Sequence, residues 1–212
     1  MGQIELGIDT FGDVTSGLDG RPLPYDVVLR NVVEEGVLAD QVGLDVIGVG
    51  EHHRADFAVS APEIVLAAIG ARTSNIRLAS AVTVLSSDDP VRVFERFSTL
   101  DAISAGRAEV ILGRGSFTES FPLFGYDLAD YEKLFDEKLE LFAALLREEP
   151  VTWSGSTRAS LRDQLVYPKT RALSAPSHSA NGGLSVVIQP PGSNAPKRKF
   201  FHDLVIERTA AA

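Results

Sequence analysis

Short apolar segments alternate with amphipathic segments along the first 149 residues, and this alternation limits the fold more than any other feature. The apolar segments have the length and β-branched content of buried parallel strands, and the amphipathic ones repeat apolar residues at helical spacing. Alternation of this kind predicts a parallel sheet with right-handed helical connections. The predicted strands are Ile4–Ile8, Leu44–Gly50, Ile76–Leu85 and Arg107–Leu112, and the predicted helices are Tyr25–Gln41, Ser60–Arg72, Pro90–Ala105 and Asp130–Glu148.

The strand–helix units recur about every 35 residues, the size of a βα module in a barrel or a doubly wound sheet. Four units make half of an eight-unit barrel. Two helix starts also carry local signals. Ser60 and Glu63 have the spacing of a capping box, and Asp88-Asp89-Pro90 is a typical start for the third helix. The expected class is therefore α/β, with parallel strands and alternating helices.

The amino-acid composition argues against several classes of function. The chain has no cysteine, which excludes disulfides, thiolate nucleophiles and zinc ribbons. A net charge of −9 disfavours nucleic acid as the main partner. The sequence starts without the basic and apolar regions of a signal peptide, and no apolar run reaches the length of a membrane span. We therefore expect a cytoplasmic protein that binds neither nucleic acid nor a membrane.

The composition changes after residue 149. Residues 1–149 hold 26 of the 29 acidic residues, and the segment after residue 149 is basic. Val151–Gly155 is predicted to be a short hairpin or loop, and a stretch rich in Pro, Ser and Gly begins at Pro168. Beyond it, Gly183–Ile188 is a candidate fifth strand and Lys197–Arg208 a candidate terminal helix. We predict a βα domain over residues 1–167 and a divergent basic tail over residues 168–212, part of which is expected to be disordered.

The strand Leu44–Gly50 ends in a carboxylate and two imidazoles, Glu51, His52 and His53. Ligands of open parallel sheets and α/β barrels bind at the carboxyl ends of strands. Histidine titrates near neutral pH, so this position suits general acid–base chemistry. The alternative is a polar cluster that hydrogen-bonds neighbouring loops. A metal site is a third interpretation, although adjacent histidines seldom bind one ion together.

Two further strand ends offer ligand contacts. Arg114, between Gly113 and Gly115, can approach an anion such as phosphate together with backbone N–H groups; the alternative is an arginine paired with a nearby acid. The small, uncharged run Ser80–Thr83 is either a floor for a flat ligand or ordinary strand packing. The glycine signatures of dinucleotide-binding Rossmann domains, P-loop NTPases and α/β-hydrolases are absent, which argues against those classes.

Several motifs fall in an order that resembles the bacterial luciferase-like flavin-dependent monooxygenases. The resemblance covers about residues 3–167. It implies a TIM-type barrel with reduced FMN as the cofactor, and often a homodimer. Because members of that family usually continue for four more βα units, it implies an incomplete barrel here. The motifs are Val49–His53, Ala79–Leu85, Asp89–Arg92, Leu100-Asp101-x-x-Ser104-x-Gly106-Arg107, Gly113–Gly115 and Phe124–Asp127.

The resemblance also implies roles for three residues after the second strand. His52 matches the family's active-site histidine, which acts beside the flavin during oxygen chemistry. His53 matches the neighbour of that histidine, and Glu51 matches the acid before it. We therefore predict His52 as the catalytic residue and Glu51 and His53 as cofactor-binding residues.

The same resemblance implies four further cofactor contacts. Ala81 and Val82 match a strand end where the family often has a non-proline cis peptide under the flavin ring. Arg114 matches an arginine that contacts the flavin phosphate, and the backbone after Gly115 lies beside it. No metal ligand is predicted.

Three functions are compatible with this resemblance. The first is an FMN-dependent monooxygenase that acts on a small organic substrate with reduced flavin and O2, with a flavin reductase as a further candidate partner. The second is a non-catalytic or vestigial flavin-binding dimer. The third is a reductase of the same superfamily that uses the deazaflavin F420. A metal-dependent barrel hydrolase is a more distant alternative.

Overall fold

The computed structural model describes residues 5–169 and 185–188. Most of its strands form one parallel sheet, as the alternation predicts, and the sixth and seventh strands form a separate antiparallel hairpin. The first 149 residues therefore have the α/β organisation expected of them. The strands are β1 (Gly7–Thr10), β2 (Val46–Val49), β3 (Arg77–Ser80), β4 (Thr83–Val84), β5 (Ala108–Gly113), β6 (Val151–Trp153), β7 (Leu161–Gln164) and β8 (Ser185–Ile188).

Helices connect the parallel strands, and the four helices predicted within residues 1–149 are all present. The first has the predicted bounds, whereas the others are one to three residues shorter at one or both ends. No helix in the described part of the chain is both long and apolar enough to cross a bilayer. The α-helices are α1 (Tyr25–Gln41), α2 (Pro62–Gly70), α3 (Pro90–Ile103), α4 (Ser120–Phe124) and α5 (Tyr131–Leu145), and 3-10 turns lie at Leu85–Ser87 and Leu128–Asp130.

The third predicted strand is divided in two. The sheet order is β1-β2-β3-β5-β4, so β3 and β4 lie along the same strand, β5. Leu78 of β3 pairs with the beginning of β5, and Thr83 of β4 pairs with its end. Ala81 and Val82 separate the two halves, and the peptide bond between them is cis.

The candidate fifth strand is also present. β8 lies parallel to Glu109–Leu112 of β5, so the described strands form an open sheet with β1 at one edge. The predicted terminal helix Lys197–Arg208 lies outside the described residues. The division of the chain near residue 168 stays a prediction.

The core lies between the outer face of the sheet and the helices. Ile47 of β2, Leu78 of β3 and Val110 of β5 are completely buried there, together with aromatic side chains such as Phe97 of α3 and Phe142 of α5. Strand side chains alternate between two faces, so residues at every second position reach this layer. The opposite face of the sheet and the carboxyl ends of its strands are therefore available to form a ligand site.

The two predicted helix starts have different outcomes. Asp89 caps α3 as expected, since its carboxylate accepts hydrogen bonds from the N–H groups of Val91 and Arg92 at 2.9 and 3.3 Å. The prediction of a capping box at α2 is wrong, because the N-cap residue is Ala61 and no side chain caps the helix. Glu63 instead forms a 2.8 Å ion pair with Arg96 of α3. A contact between helices has taken the place of the local cap.

Candidate functional site

The carboxyl ends of β2, β4 and β5 open on one cavity of about 350 Å³. Sites for small molecules in proteins have volumes of about 300–1,000 Å³. Of the seven predicted site residues, six line this cavity: Glu51, His52, His53, Ala81, Val82 and Gly115. The other lining residues are Phe11, Asp13, Phe57, Val84, Ser116, Phe117, Glu119 and Ser120.

Glu51 joins the ends of two strands. One carboxylate oxygen lies 2.9 Å from Nε2 of His53, and the other accepts a hydrogen bond of 3.0 Å from the N–H of Val84. The Glu51 and His53 side chains are only 9% and 11% exposed. The hydrogen bond with Glu51 raises the pKa of His53, although burial acts in the opposite direction. His53 therefore holds its proton more firmly than a histidine in water.

The adjacent His52 lies in a different environment. Its ring centroid is 5.0 Å from that of Phe11, 4.3 Å from that of Phe57 and 4.8 Å from that of Phe117. Burial lowers the pKa of His52 below 6.5, and the carboxylate of Glu119 opposes this only in part. The imidazole is therefore mainly neutral at pH 7. A neutral imidazole can accept a proton, so His52 has the charge state that a general base requires.

The strands approach each other closely at the base of the cavity. A Cβ on Gly50 would lie 2.2 Å from the ring of Phe11 and 2.9 Å from the carbonyl oxygen of Ala81. Gly115 has a φ of +83°, which favours glycine, and a Cβ there would lie 2.8 Å from Val84. These glycines let the backbone segments meet and leave a compact base of small residues.

Arg114 is the one predicted site residue that does not line the cavity. Its Nε lies 3.0 Å from Glu132 and its Nη2 3.4 Å from Asp136, while the guanidinium stacks on Phe135. The paired arginine was the alternative interpretation of the sequence. Both carboxylates are about two-thirds exposed, whereas the Arg114 side chain is only 14% exposed. In this structure the guanidinium therefore pairs with acids of α5.

Sequence reasoning missed the residues that surround His52. Phe11 follows β1, Phe57 lies in the loop after β2, and Phe117 and Glu119 lie between β5 and α4. Their position in loops at strand ends was the available signal. Which loop side chains turn inward depends on contacts made far along the chain, such as the pairing of Phe57 with Asp13.

The cavity offers two features that suit a planar heteroaromatic ligand. Phenylalanine rings and small aliphatic residues provide flat apolar contact, and the buried hydroxyl of Ser120 has no hydrogen-bond partner among residues 5–169 and 185–188. Buried polar groups are nearly always hydrogen-bonded, so a polar atom of a ligand is a suitable partner for Ser120. Within residues 5–169 and 185–188, no group of three or more Asp, Glu or His side chains is placed to hold a metal ion.

Sequence comparison identifies related proteins. A family model described as luciferase-like monooxygenase matches residues 5–185. The alkanal monooxygenase alpha chain of Photorhabdus luminescens is 31% identical over 182 residues, which cover 84% of this chain and 47% of that one. The 4-hydroxyprotoasukamycin monooxygenase of Streptomyces nodosus subsp. asukaensis is 36% identical over 115 residues, or 53% and 31% of the two chains. The chain thus spans less than half the length of these relatives.

Solved structures agree in fold. The monooxygenase RslO1 from Streptomyces bottropensis has a TM-score of 0.72 at 23% identity, over 87% of this chain and 53% of that one. The oxygenating constituent of 3,6-diketocamphane monooxygenase from Pseudomonas putida, solved with FMN, has a TM-score of 0.67 at 20% identity and covers 87% and 50%. An F420-dependent secondary alcohol dehydrogenase has a TM-score of 0.64 at 18% identity and covers 87% and 52%. At these identities the likeness concerns the fold alone, which is an incomplete TIM-type barrel here.

Proposed function

This chain belongs to the luciferase-like monooxygenase family, and on that premise we propose that it is an FMN-dependent monooxygenase acting on a small organic substrate. The observation that carries the proposal is the convergence of six sequence-selected residues on one cavity. They come from three strand ends that are distant in the chain. Ligands of parallel sheets and α/β barrels bind at this edge, and the cavity has the volume of a small-molecule site.

The residues around the cavity fit a flavin ring. Ala81, Val82 and Gly115 form the small, apolar base on which a flat ring rests, and the unpartnered hydroxyl of Ser120 can bond a polar edge. Arg114 is the proposed phosphate contact. In this proposal the phosphate takes the place of the exposed carboxylates of Glu132 and Asp136 beside the guanidinium. Reduced FMN, when bound, supplies the electrons with which O2 is activated.

His52 is the proposed catalytic residue. It is the cavity histidine whose pKa is lowered by burial, so it is available to accept a proton near neutral pH. The rings of Phe11, Phe57 and Phe117 hold the imidazole and exclude water around it. Glu51 and His53 line the same cavity and are proposed cofactor contacts, and their hydrogen bonds also keep the β2 and β4 ends in place.

Titration of the purified protein with FMN, followed by flavin fluorescence, tests the proposal. We expect saturable binding, weakened about 10-fold or more in Arg114→Ala because a charge-assisted phosphate contact is worth about 1.5–3 kcal/mol. The double variant Glu132→Gln/Asp136→Asn should bind FMN more tightly than the unmodified protein, because it frees Arg114 from both carboxylates.

Arg92→Ala is the matched control, since Arg92 lies on the exposed side of α3 and pairs only with Glu95 among the described residues. Its FMN affinity should not change. Turnover with reduced FMN, O2 and candidate substrates, and its loss in His52→Ala, then tests catalysis. Binding without turnover would favour a non-catalytic flavoprotein. Tighter binding of F420 than of FMN would favour the deazaflavin reductase, and no binding of either would contradict the proposal.

A further inference from the structure

Two histidine–carboxylate pairs lie side by side in the cavity, and their geometries differ. His53 and Glu51 belong to one short segment and are 2.9 Å apart. His52 and Glu119 come from different segments, the end of β2 and the loop before α4, and their nearest atoms are 3.6 Å apart. The first pair stabilises two strand ends, whereas the proposed function assigns no role to Glu119.

Glu119 faces one particular nitrogen of His52, namely Nδ1. Neighbouring rings fix the imidazole orientation: Phe57 is inclined to it by 30° and Phe117 stands almost perpendicular to it at 83°. The histidine and glutamate side chains are 11% and 23% exposed, so water screens the contact only partly. A carboxylate favours a proton on the imidazole nitrogen that faces it, which leaves the other nitrogen as the acceptor.

We propose that Glu119 is a positioning residue for His52: its carboxylate selects the tautomer protonated at Nδ1 and supplies a counter-charge when Nε2 accepts a proton. The inference rests on the proposed function for the role of His52. The separation of 3.6 Å is longer than a hydrogen bond, so the pair is loose in this structure. A change of a few tenths of an ångström closes it once the imidazole becomes charged.

The test is ¹⁵N NMR of the histidine rings of the full-length protein, recorded across a pH titration with Glu119→Gln alongside. The unmodified protein should show His52 protonated at Nδ1 in its neutral form. In Glu119→Gln the preference for Nδ1–H should diminish. The pKa of His52 should fall by about one pH unit or more, because the variant removes an anion that favours the charged imidazole and that water screens only partly.

Asp13→Asn is the matched control, because Asp13 lines the same cavity, whereas the carboxylate paired with His52 in the described part of the chain is that of Glu119. This variant should leave the tautomer of His52 unchanged. The comparison then distinguishes the effect of the Glu119–His52 contact from that of the total charge of the cavity. An unaltered tautomer and pKa in Glu119→Gln, in a protein with the same melting temperature, would overturn the inference.

These NMR signals do not require flavin or turnover. They can therefore support the role of Glu119 even if FMN fails to bind, and they can contradict it even if the protein is an active monooxygenase. In an active protein, kcat should rise with pH as His52 loses its proton. The acidic limb of that profile should move to lower pH in Glu119→Gln and stay in place in Asp13→Asn.

Discussion

His52 and His53 are adjacent in the chain, yet their pKa values shift in opposite directions. The difference comes from their partners. His53 has a hydrogen-bonded carboxylate at 2.9 Å, whereas His52 has aromatic rings around it and a carboxylate at 3.6 Å. Environments that shift the pKa values of two titratable groups in opposite directions give similar side chains different roles. We therefore propose that His53 helps Glu51 to hold the strand ends and that His52 is the proton acceptor.

Glu51→Gln tests the structural role of the first pair. We expect a loss of about 1–3 kcal/mol in the free energy of unfolding, because a charged hydrogen bond in a buried place is removed. The raised pKa of His53 means that the pair stabilises the fold fully below pH 6.5 and less as pH rises through the folded-state pKa. Urea unfolding should therefore show a larger loss at about pH 6 than at about pH 9. An equal loss at both values would contradict the ion pair.

Single polar side chains join several elements at the amino end of the sheet. The Arg107 guanidinium donates five hydrogen bonds, to the hydroxyl of Thr73 and to the carbonyl groups of Gly70, Thr73, Ile76 and Ser104. Asp40 of α1 accepts three backbone hydrogen bonds from residues 74–76. Burial would raise the pKa of Asp40, but these N–H groups outweigh it and lower the pKa. The connections fix the helix ends against β3.

Arg107→Lys should cost about 2–4 kcal/mol in the free energy of unfolding, because an ammonium cannot satisfy carbonyl groups that a planar guanidinium reaches on several sides. Urea denaturation measures this loss. Arg92→Lys, at an exposed ion pair, should change stability by less than about 0.5 kcal/mol. FMN affinity should be the same in both variants, since Arg107 precedes β5 and the cavity lies at its other end. A fall in affinity specific to Arg107→Lys would contradict this separation.

At the scale of the whole molecule, the described sheet is open and β1 forms one of its edges. Leu6 and Ile8 at this edge are 60% and 40% exposed. Among residues 5–169 and 185–188 no strand pairs with the outer side of β1, and an edge strand with exposed apolar side chains favours pairing with another chain. We therefore propose that the protein forms a homodimer in which β1 takes part.

Sedimentation at several protein concentrations tests this proposal. The protein should associate reversibly, and Ile8→Lys should shift it to the monomer because a charged side chain blocks edge pairing. Ile103→Lys is the control, since Ile103 is 65% exposed on α3, away from the edge. If Ile103→Lys dissociates the dimer and Ile8→Lys does not, the dimer contact is made by the helices. A monomer at all concentrations would contradict the dimer.

The sequence by itself determined the elements and much of the site's composition. The bounds of α1 follow from helical periodicity, and the cap of α3 follows from Asp89 next to Pro90, because both depend on neighbours within a few residues. Glu51, His52 and His53 were found because they come directly after a buried strand. The carboxyl ends of parallel strands meet at one edge, so their convergence on a cavity could be anticipated.

Only the tertiary structure decided how these side chains are paired. The third strand is divided in two, and Glu63 pairs with Arg96 instead of capping its own helix. Arg114 pairs with Glu132 and Asp136. The tertiary structure also brings Glu119 to His52 from another segment. The physical reason is common to all of these contacts. Backbone periodicity is a local property, whereas the partner of a charged side chain is set by the segments that packing brings within a few ångströms of it.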